Sequence, residues 1–180
     1  MPVVALTVVM GVGVALNAGP APRIDLPQDV PGQVEELVDA TWSSFVDSFP
    51  ALRDCIGDVA VVLVRDVTGG DASYSASERT IRIEIPTTPE RFPESLAHEL
   101  GHLIEESCSA PEAIGAEFMS AQAIPAGTSW RGGDHWFDTP SEQFAETVVQ
   151  IVRGERIIHA DVINVSDGAV RLVSEWGARS

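Results

Sequence analysis

The chain reads FPESLAHELGHLIEES over residues 92–107, and this stretch decides the fold. Pro93 and Glu94 are typical of a first helical turn, where proline is tolerated and an acid lies near the positive end of the helix dipole. Apolar residues then recur every three or four positions, as one buried face requires: Leu96, Leu100, Leu103 and Ile104. The stretch therefore predicts an amphipathic helix that ends at about Ser107.

Two histidines on this predicted helix are four positions apart. Residues with that spacing share one face, so His98 and His102 can direct both imidazoles at one point. Zinc takes neutral imidazole nitrogens as ligands, and this pair supplies two of them. Glu99 is expected beside the metal as the base that deprotonates a water. Gly101 is expected to add no bulk near the metal.

A catalytic zinc ion needs a third protein ligand and an open position for water. The segment Ser141 to Glu146 offers two acids four positions apart, among apolar residues that predict burial. We assign Glu142 to the metal and Glu146 to a ligand histidine as its hydrogen-bond partner. Three loop residues are alternative third ligands: His135, and more weakly Asp134 and Asp138.

His98-Glu-Leu-Gly-His102 followed by Glu142-x-x-x-Glu146 resembles the gluzincin branch of the zincin metallopeptidases. Locally, the second motif is similar to lethal-factor-like catalytic domains and to small secreted bacterial relatives. The resemblance covers about residues 58–152. It implies that the first acid binds zinc and the second supports the site. It also implies that the half-exposed strand before the helix, Thr80 to Ile85, is an edge strand that pairs with an extended peptide substrate.

The chain departs from that family in one respect. Gluzincins usually place a tyrosine or histidine before the third ligand to stabilise the oxyanion. His135 is the one titratable donor in that position, and it is equally compatible with an exposed loop histidine. A competing alignment resembles the repressor-cleaving peptidases of mobile elements and would make Glu112 a ligand. However, Ile114 occupies the matching position there.

The remaining patterns predict an α+β fold, with a small mixed or antiparallel sheet packed on the active-site helix and the third-ligand helix. Expected helices cover about residues 33–49, 111–123, 141–152 and 169–176, and expected strands cover 58–67, 72–75 and 80–85. The stretch from Pro125 to Pro140 holds three glycines and two tryptophans without periodicity, so we expect a functional loop. His159 has no partner pattern and is expected to be structural or exposed.

Residues 1–18 are almost entirely apolar and are expected to be a signal peptide or an N-terminal anchor, although basic residues before the apolar run are absent. Residues 19–32 contain four prolines and predict a linker to a domain over 33–180. Export to the cell surface or medium is therefore expected. Any membrane contact would be through an uncleaved anchor, and a buried N-terminal element is the alternative.

Cys55 and Cys108 are the only cysteines, and in an exported chain they predict one disulfide. In a cytosolic chain, two free buried thiols would be the better expectation. The net charge of −16 disfavours nucleic-acid binding, because phosphate backbones would repel the chain.

Three functions are compatible with these patterns. The first is a zinc endopeptidase acting on peptide or protein substrates. The second is a zincin-like binding module that no longer cleaves, against which the presence of Glu99 argues. The third is an intracellular regulatory peptidase. Neither the substrate nor the oligomeric state follows from the sequence.

Overall fold

A computed structural model describes residues 21–68, 70–154 and 163–179. This part of the chain forms a small four-stranded sheet covered by α-helices, which confirms the expected α+β class. The strands are β1 (Ile24–Asp25), β2 (Val59–Val64), β3 (Ala72–Ser75) and β4 (Thr80–Glu84). The helices are α1 (Gly32–Ser48), α2 (Arg53–Ile56), α3 (Arg91–Ser107), α4 (Ala110–Ala121), α5 (Pro140–Arg153) and α6 (Asp167–Ala178).

The sheet is mixed, with the strand order β1-β2-β4-β3. β2 is parallel to both β1 and β4, whereas β3 is antiparallel to β4. Along β4, Ile81 and Ile83 are buried under the helices, and the alternate residues Thr80, Arg82 and Glu84 are half-buried. This alternation is the one that the sequence predicts for a strand with one face on the core.

The expectation that Thr80 to Ile85 is the edge strand is wrong. β4 lies inside the sheet, with β2 on one side and β3 on the other. The alternation of apolar and polar residues reports which face of a strand is covered, but says nothing about whether a neighbour pairs with its edges. Among the described residues, β3 forms the edge next to β4.

Part of the segment expected to be a linker belongs to the sheet. Ile24 pairs in parallel with Val59, and Asp25 with Ala60. Arg23 also forms an ion pair with Asp58 at 2.9 Å, although both side chains are largely exposed. Residues 1–18 and His159, for which the sequence made specific predictions, lie outside the described residues.

The long helix α3 lies at the centre of the fold. It contacts α1, α5, β3 and β4, and its apolar residues are buried in the core. α5 packs tightly against α3, because Gly101 brings the two backbones together. A Cβ placed on Gly101 would lie 2.7 Å from the Cα of Ala145. The glycine therefore serves the contact between these two helices, a role that the sequence did not reveal.

Cys55 and Cys108 form a disulfide, with a Cα–Cα distance of 5.3 Å. The bond joins α2 to the residue that follows α3. The disulfide predicted for an exported chain is therefore present. Within the described part of the chain, none of the helices combines the length and apolar character needed to cross a membrane.

Candidate metal centre

Two helices bring together three side chains that can hold a metal ion. His98 and His102 come from α3, and Glu142 comes from the first turn of α5. One potential ligand atom from each residue lies within 4.8 Å of the other two. His98 Nε2 is 3.0 Å from Glu142 Oε2, and His102 Nε2 is 3.6 Å from Glu142 Oε1. We call these three residues the His-His-Glu group.

The other ring nitrogen of each histidine is held by a buried carboxylate. His98 Nδ1 lies 2.9 Å from Glu146 Oε1, and His102 Nδ1 lies 2.9 Å from Glu105 Oε2. The side chains of Glu146 and Glu105 are only 2% and 1% exposed. A carboxylate accepts hydrogen bonds, so each Nδ1 carries a proton, and each Nε2 is directed towards Glu142.

These carboxylates change the acid–base properties of the metal-free group. Burial alone would lower the pKa of His98, but hydrogen bonds with Glu142 and Glu146 outweigh it and raise the pKa to about 9. For His102, burial is again outweighed, by Glu105 and Glu142, and the pKa is about 10. Burial would raise the pKa of Glu142, yet its bonds with both imidazoles hold the pKa well below its ordinary value.

Glu99 lies beside the His-His-Glu group and is not part of it. Its side chain is buried, with 6% of the residue exposed. Burial raises the pKa of Glu99 above its ordinary value, although the nearby charges of His98 and His102 act against that rise. The backbone N–H of Tyr74, on β3, faces its carboxyl group. A carboxylate in such surroundings is a better base than an exposed one.

The group lies in an open groove of about 530 Å³ between α3 and β3. A second hollow of about 440 Å³ continues beyond it, and both are lined by Tyr74, His102, Trp136 and Glu142. Trp136 stacks on His98, with ring centroids 6.0 Å apart and an angle of 23° between the planes. Tyr74 and Trp136 therefore lie at the place where the two hollows meet.

The structure does not bring the other candidate ligands into this group. His135 is exposed and stacks on Phe137, and it does not line either hollow. Asp134 and Asp138 are exposed as well. Glu112 is exposed on α4, and Ile114 is part of the core. Among the described residues, the grouped metal-ligating side chains are those of His98, His102 and Glu142.

Sequence reasoning missed three residues of the site. Glu105 follows His102 by three positions, and this helical spacing was a usable signal. Trp136 was hidden in an aperiodic loop, where no pattern predicts which side chain faces a groove. Tyr74 gave no signal in the sequence, because the position of β3 against α3 depends on tertiary packing.

The donor chemistry fits a metal ion. Two imidazole nitrogens and one carboxylate oxygen suit zinc, and hydrogen bonds on the far side of each histidine are typical of zinc ligands. Comparison of the chain with family models, curated proteins and solved structures gave no match. The assignment of a function therefore depends on the site itself.

Proposed function

We propose that this protein is a zinc-dependent peptidase of the zincin type. The observation that carries the proposal is the position of Glu99, a buried carboxylate beside the His-His-Glu group at the base of an open groove. A purely structural metal site needs no base next to its ligands, and it is usually closed by a fourth protein ligand.

In the proposed enzyme, His98, His102 and Glu142 would hold one zinc ion. When bound, the ion supplies a Lewis acid and makes water acidic enough to lose a proton near neutral pH. Glu146 and Glu105 keep the Nδ1 protons of the two histidines in place, so that each Nε2 is available as a ligand.

Glu99 transfers protons in this proposal. Its carboxylate accepts a proton from the attacking water and then donates it to the nitrogen of the departing amine. Burial supports both steps, because it raises the pKa of the Glu99 carboxyl group above that of an exposed glutamate and therefore closer to neutral pH.

The outer edge of β3, which no other strand of the described residues pairs with, suits an extended peptide substrate. The carbonyl of Asp71 accepts a hydrogen bond from the Glu84 N–H on β4, at 2.8 Å. Since backbone groups alternate in direction along an antiparallel pair, the N–H and C=O of Ala72 point away from β4 and towards the groove. A peptide chain can form backbone hydrogen bonds with that edge. This assigns to β3 the role that the sequence had assigned to Thr80 to Ile85.

We further propose Tyr74 as the donor that stabilises the oxyanion on the scissile carbonyl. Tyr74 lines both hollows next to His102 and Glu142, whereas His135 lines neither. The hydroxyl of a tyrosine can donate to a developing negative charge in the way that this reaction requires.

The decisive experiment compares the wild type with Glu99→Gln. Both proteins should bind one zinc ion per chain, because Glu99 is not a ligand. Only the wild type should cleave an unstructured protein such as casein, and a chelator should abolish that cleavage. If both bind zinc and neither cleaves, a binding module without catalytic activity becomes the better interpretation.

Export of the protein is also a proposal, and the disulfide supports it because such bonds persist mainly in oxidising compartments. The alternative of an intracellular regulatory peptidase predicts that residues 1–18 stay intact on a cytosolic protein. Mass spectrometry of the N-terminus, on protein recovered from cells and from medium, distinguishes the two.

A further inference from the structure

Glu105 is a buried carboxylate whose contacts extend beyond the His102 Nδ1 that it holds in the proposed enzyme. It lies one turn after His102 on α3, and only 1% of its side chain is exposed. A charge buried to this extent must be compensated by several partners. The identity of those partners indicates what the residue does.

Both oxygens of Glu105 accept hydrogen bonds. Oε2 accepts from Ser141 Oγ at 2.7 Å and from His102 Nδ1 at 2.9 Å. Oε1 accepts from Trp130 Nε1 at 2.8 Å and from Arg131 Nη2 at 3.4 Å. The donors belong to α3, to the first turn of α5 and to the 125–140 loop.

The loop is fixed to the core at the same place. The Ser141 N–H donates to the Trp130 carbonyl at 2.9 Å, and the Trp130 ring lies against Phe118 and Phe144. Further along, the same loop carries Trp136, which stacks on His98. One carboxylate therefore joins a metal ligand to the base of the loop that flanks the groove.

We propose that Glu105 is a positioning residue that couples the 125–140 loop to His102. It holds the imidazole with Nε2 directed into the His-His-Glu group, and it holds Trp130 at the base of the loop. Metal binding and an ordered loop therefore stabilise each other. The inference deepens the proposed function and depends on it for the presence of the metal.

Glu105→Gln tests the coupling, because the substitution keeps the shape and removes one acceptor. A glutamine has a single acceptor oxygen, so its NH₂ group must face either the His102 and Ser141 donors or the Trp130 and Arg131 donors. We expect the zinc Kd, measured by competition with a chromophoric chelator, to rise by about 10- to 100-fold. Circular dichroism of the metal-free protein verifies the fold.

The matched control is Glu112→Gln, on α4. Glu112 is exposed, and within the described part of the chain no hydrogen bond or ion pair joins it to His102 or to the 125–140 loop. The same substitution there should leave the zinc Kd within about twofold of the wild type, as is usual for a surface change.

A second measurement reports on the loop. In the Glu99→Gln background, which prevents self-cleavage, zinc should protect the exposed Phe137 from chymotrypsin. Glu105→Gln should remove most of that protection, whereas Glu112→Gln should keep it. An unchanged zinc Kd with full protection in Glu105→Gln would overturn the proposal.

If Glu105→Gln does not fold, Trp130→Phe takes its place, since it removes the indole N–H that the loop donates and keeps an aromatic ring next to Phe118 and Phe144. Reduced protection by zinc together with a weaker zinc affinity would support the coupling, and no change in either would overturn it. A wild-type protein that binds zinc but does not cleave casein contradicts the proposed peptidase alone, because the coupling test needs no catalytic turnover.

Discussion

Gly101 lies directly against Ala145, and this contact sets the distance between the two helices that carry the His-His-Glu group. A Cβ on Gly101 would lie 2.7 Å from the Ala145 Cα and 3.3 Å from its carbonyl oxygen. Both neighbours are backbone atoms, so no side-chain rotation can relieve the overlap. The separation of α3 and α5 therefore depends on the absence of a side chain at residue 101.

We expect Gly101→Ala to destabilise the fold by about 1–3 kcal/mol, because the two helices must move apart to accept a methyl group. The zinc Kd should also rise, since Glu142 moves away from the histidines. Gly115→Ala is the matched control. Its Cβ would lie at an ordinary 3.5 Å from Trp130, and alanine favours a helix by up to about 1 kcal/mol. Urea denaturation measures both variants, and equal stability of the two would contradict this account.

Three substitutions of glutamate by glutamine distinguish the candidate metal ligands. Glu146→Gln should weaken zinc binding by about 10- to 100-fold, as expected for a residue that orients a ligand histidine. Glu142→Gln removes a ligand and should weaken it further. Glu112→Gln should have no effect, because that side chain is exposed on α4. Competition titrations with a chelator measure all three. A loss of affinity in Glu112→Gln would favour the competing alignment.

Zinc binding should release protons at neutral pH. Despite their burial, the hydrogen bonds to carboxylates raise the pKa values of His98 and His102 to about 9 and about 10 in the metal-free protein, so both rings are charged at pH 7. A metal ion must displace these protons, and its affinity should weaken as the pH falls below 9. Calorimetry in buffers with different heats of ionisation counts the protons. Binding without proton release would show that the rings are neutral.

The same pKa values predict how the stability of the metal-free protein depends on pH. A raised pKa in the folded state means that protonation stabilises the fold. The stabilisation is complete below the ordinary histidine pKa of 6.5 and is lost as the pH rises through 9 to 10. Zinc-loaded protein should show no such loss, since its histidines carry no titrating proton on Nε2. Urea midpoints at several pH values, with and without a chelator, provide the comparison.

Tyr74→Phe and His135→Ala test which residue stabilises the oxyanion. Loss of one such donor lowers kcat by about 10²- to 10³-fold, and we expect this for Tyr74→Phe with little change in KM. His135→Ala should leave kcat within about twofold, because that side chain is exposed and outside the groove. The reverse result would restore the role that the sequence assigned to His135.

The sequence predicted those features that depend on local spacing. The helix around His98 and His102, the helix of Glu142, the short strand at residues 72–75 and the α+β class all follow from periodicity and from proline or glycine at the ends. Glu142 and Glu146 were placed together because four positions on a helix make one face. The structure brings both of them to the histidines of α3.

The features that the sequence did not predict depend on contacts between segments that are distant along the chain. Which strand forms the edge depends on pairing, and the alternation in Thr80 to Ile85 does not encode it. Tyr74 reaches the groove only because β3 passes over α3. Trp136 reaches His98 through a loop whose sequence has no periodicity from which its path could be predicted. The sequence around Gly101 did not predict that Ala145 would be its neighbour, because contacts between helices depend on which two faces meet.

The division of the proposed ligands between α3 and α5 also has a consequence for how the protein would mature. His98 and Glu142 are 44 positions apart, and the chain between them includes α4 and the 125–140 loop. A chain that has formed α3 alone offers only the two histidines. If this ligand set holds zinc as proposed, high-affinity binding requires the docking of the two helices, and only a chain synthesised beyond Glu142 could capture the ion.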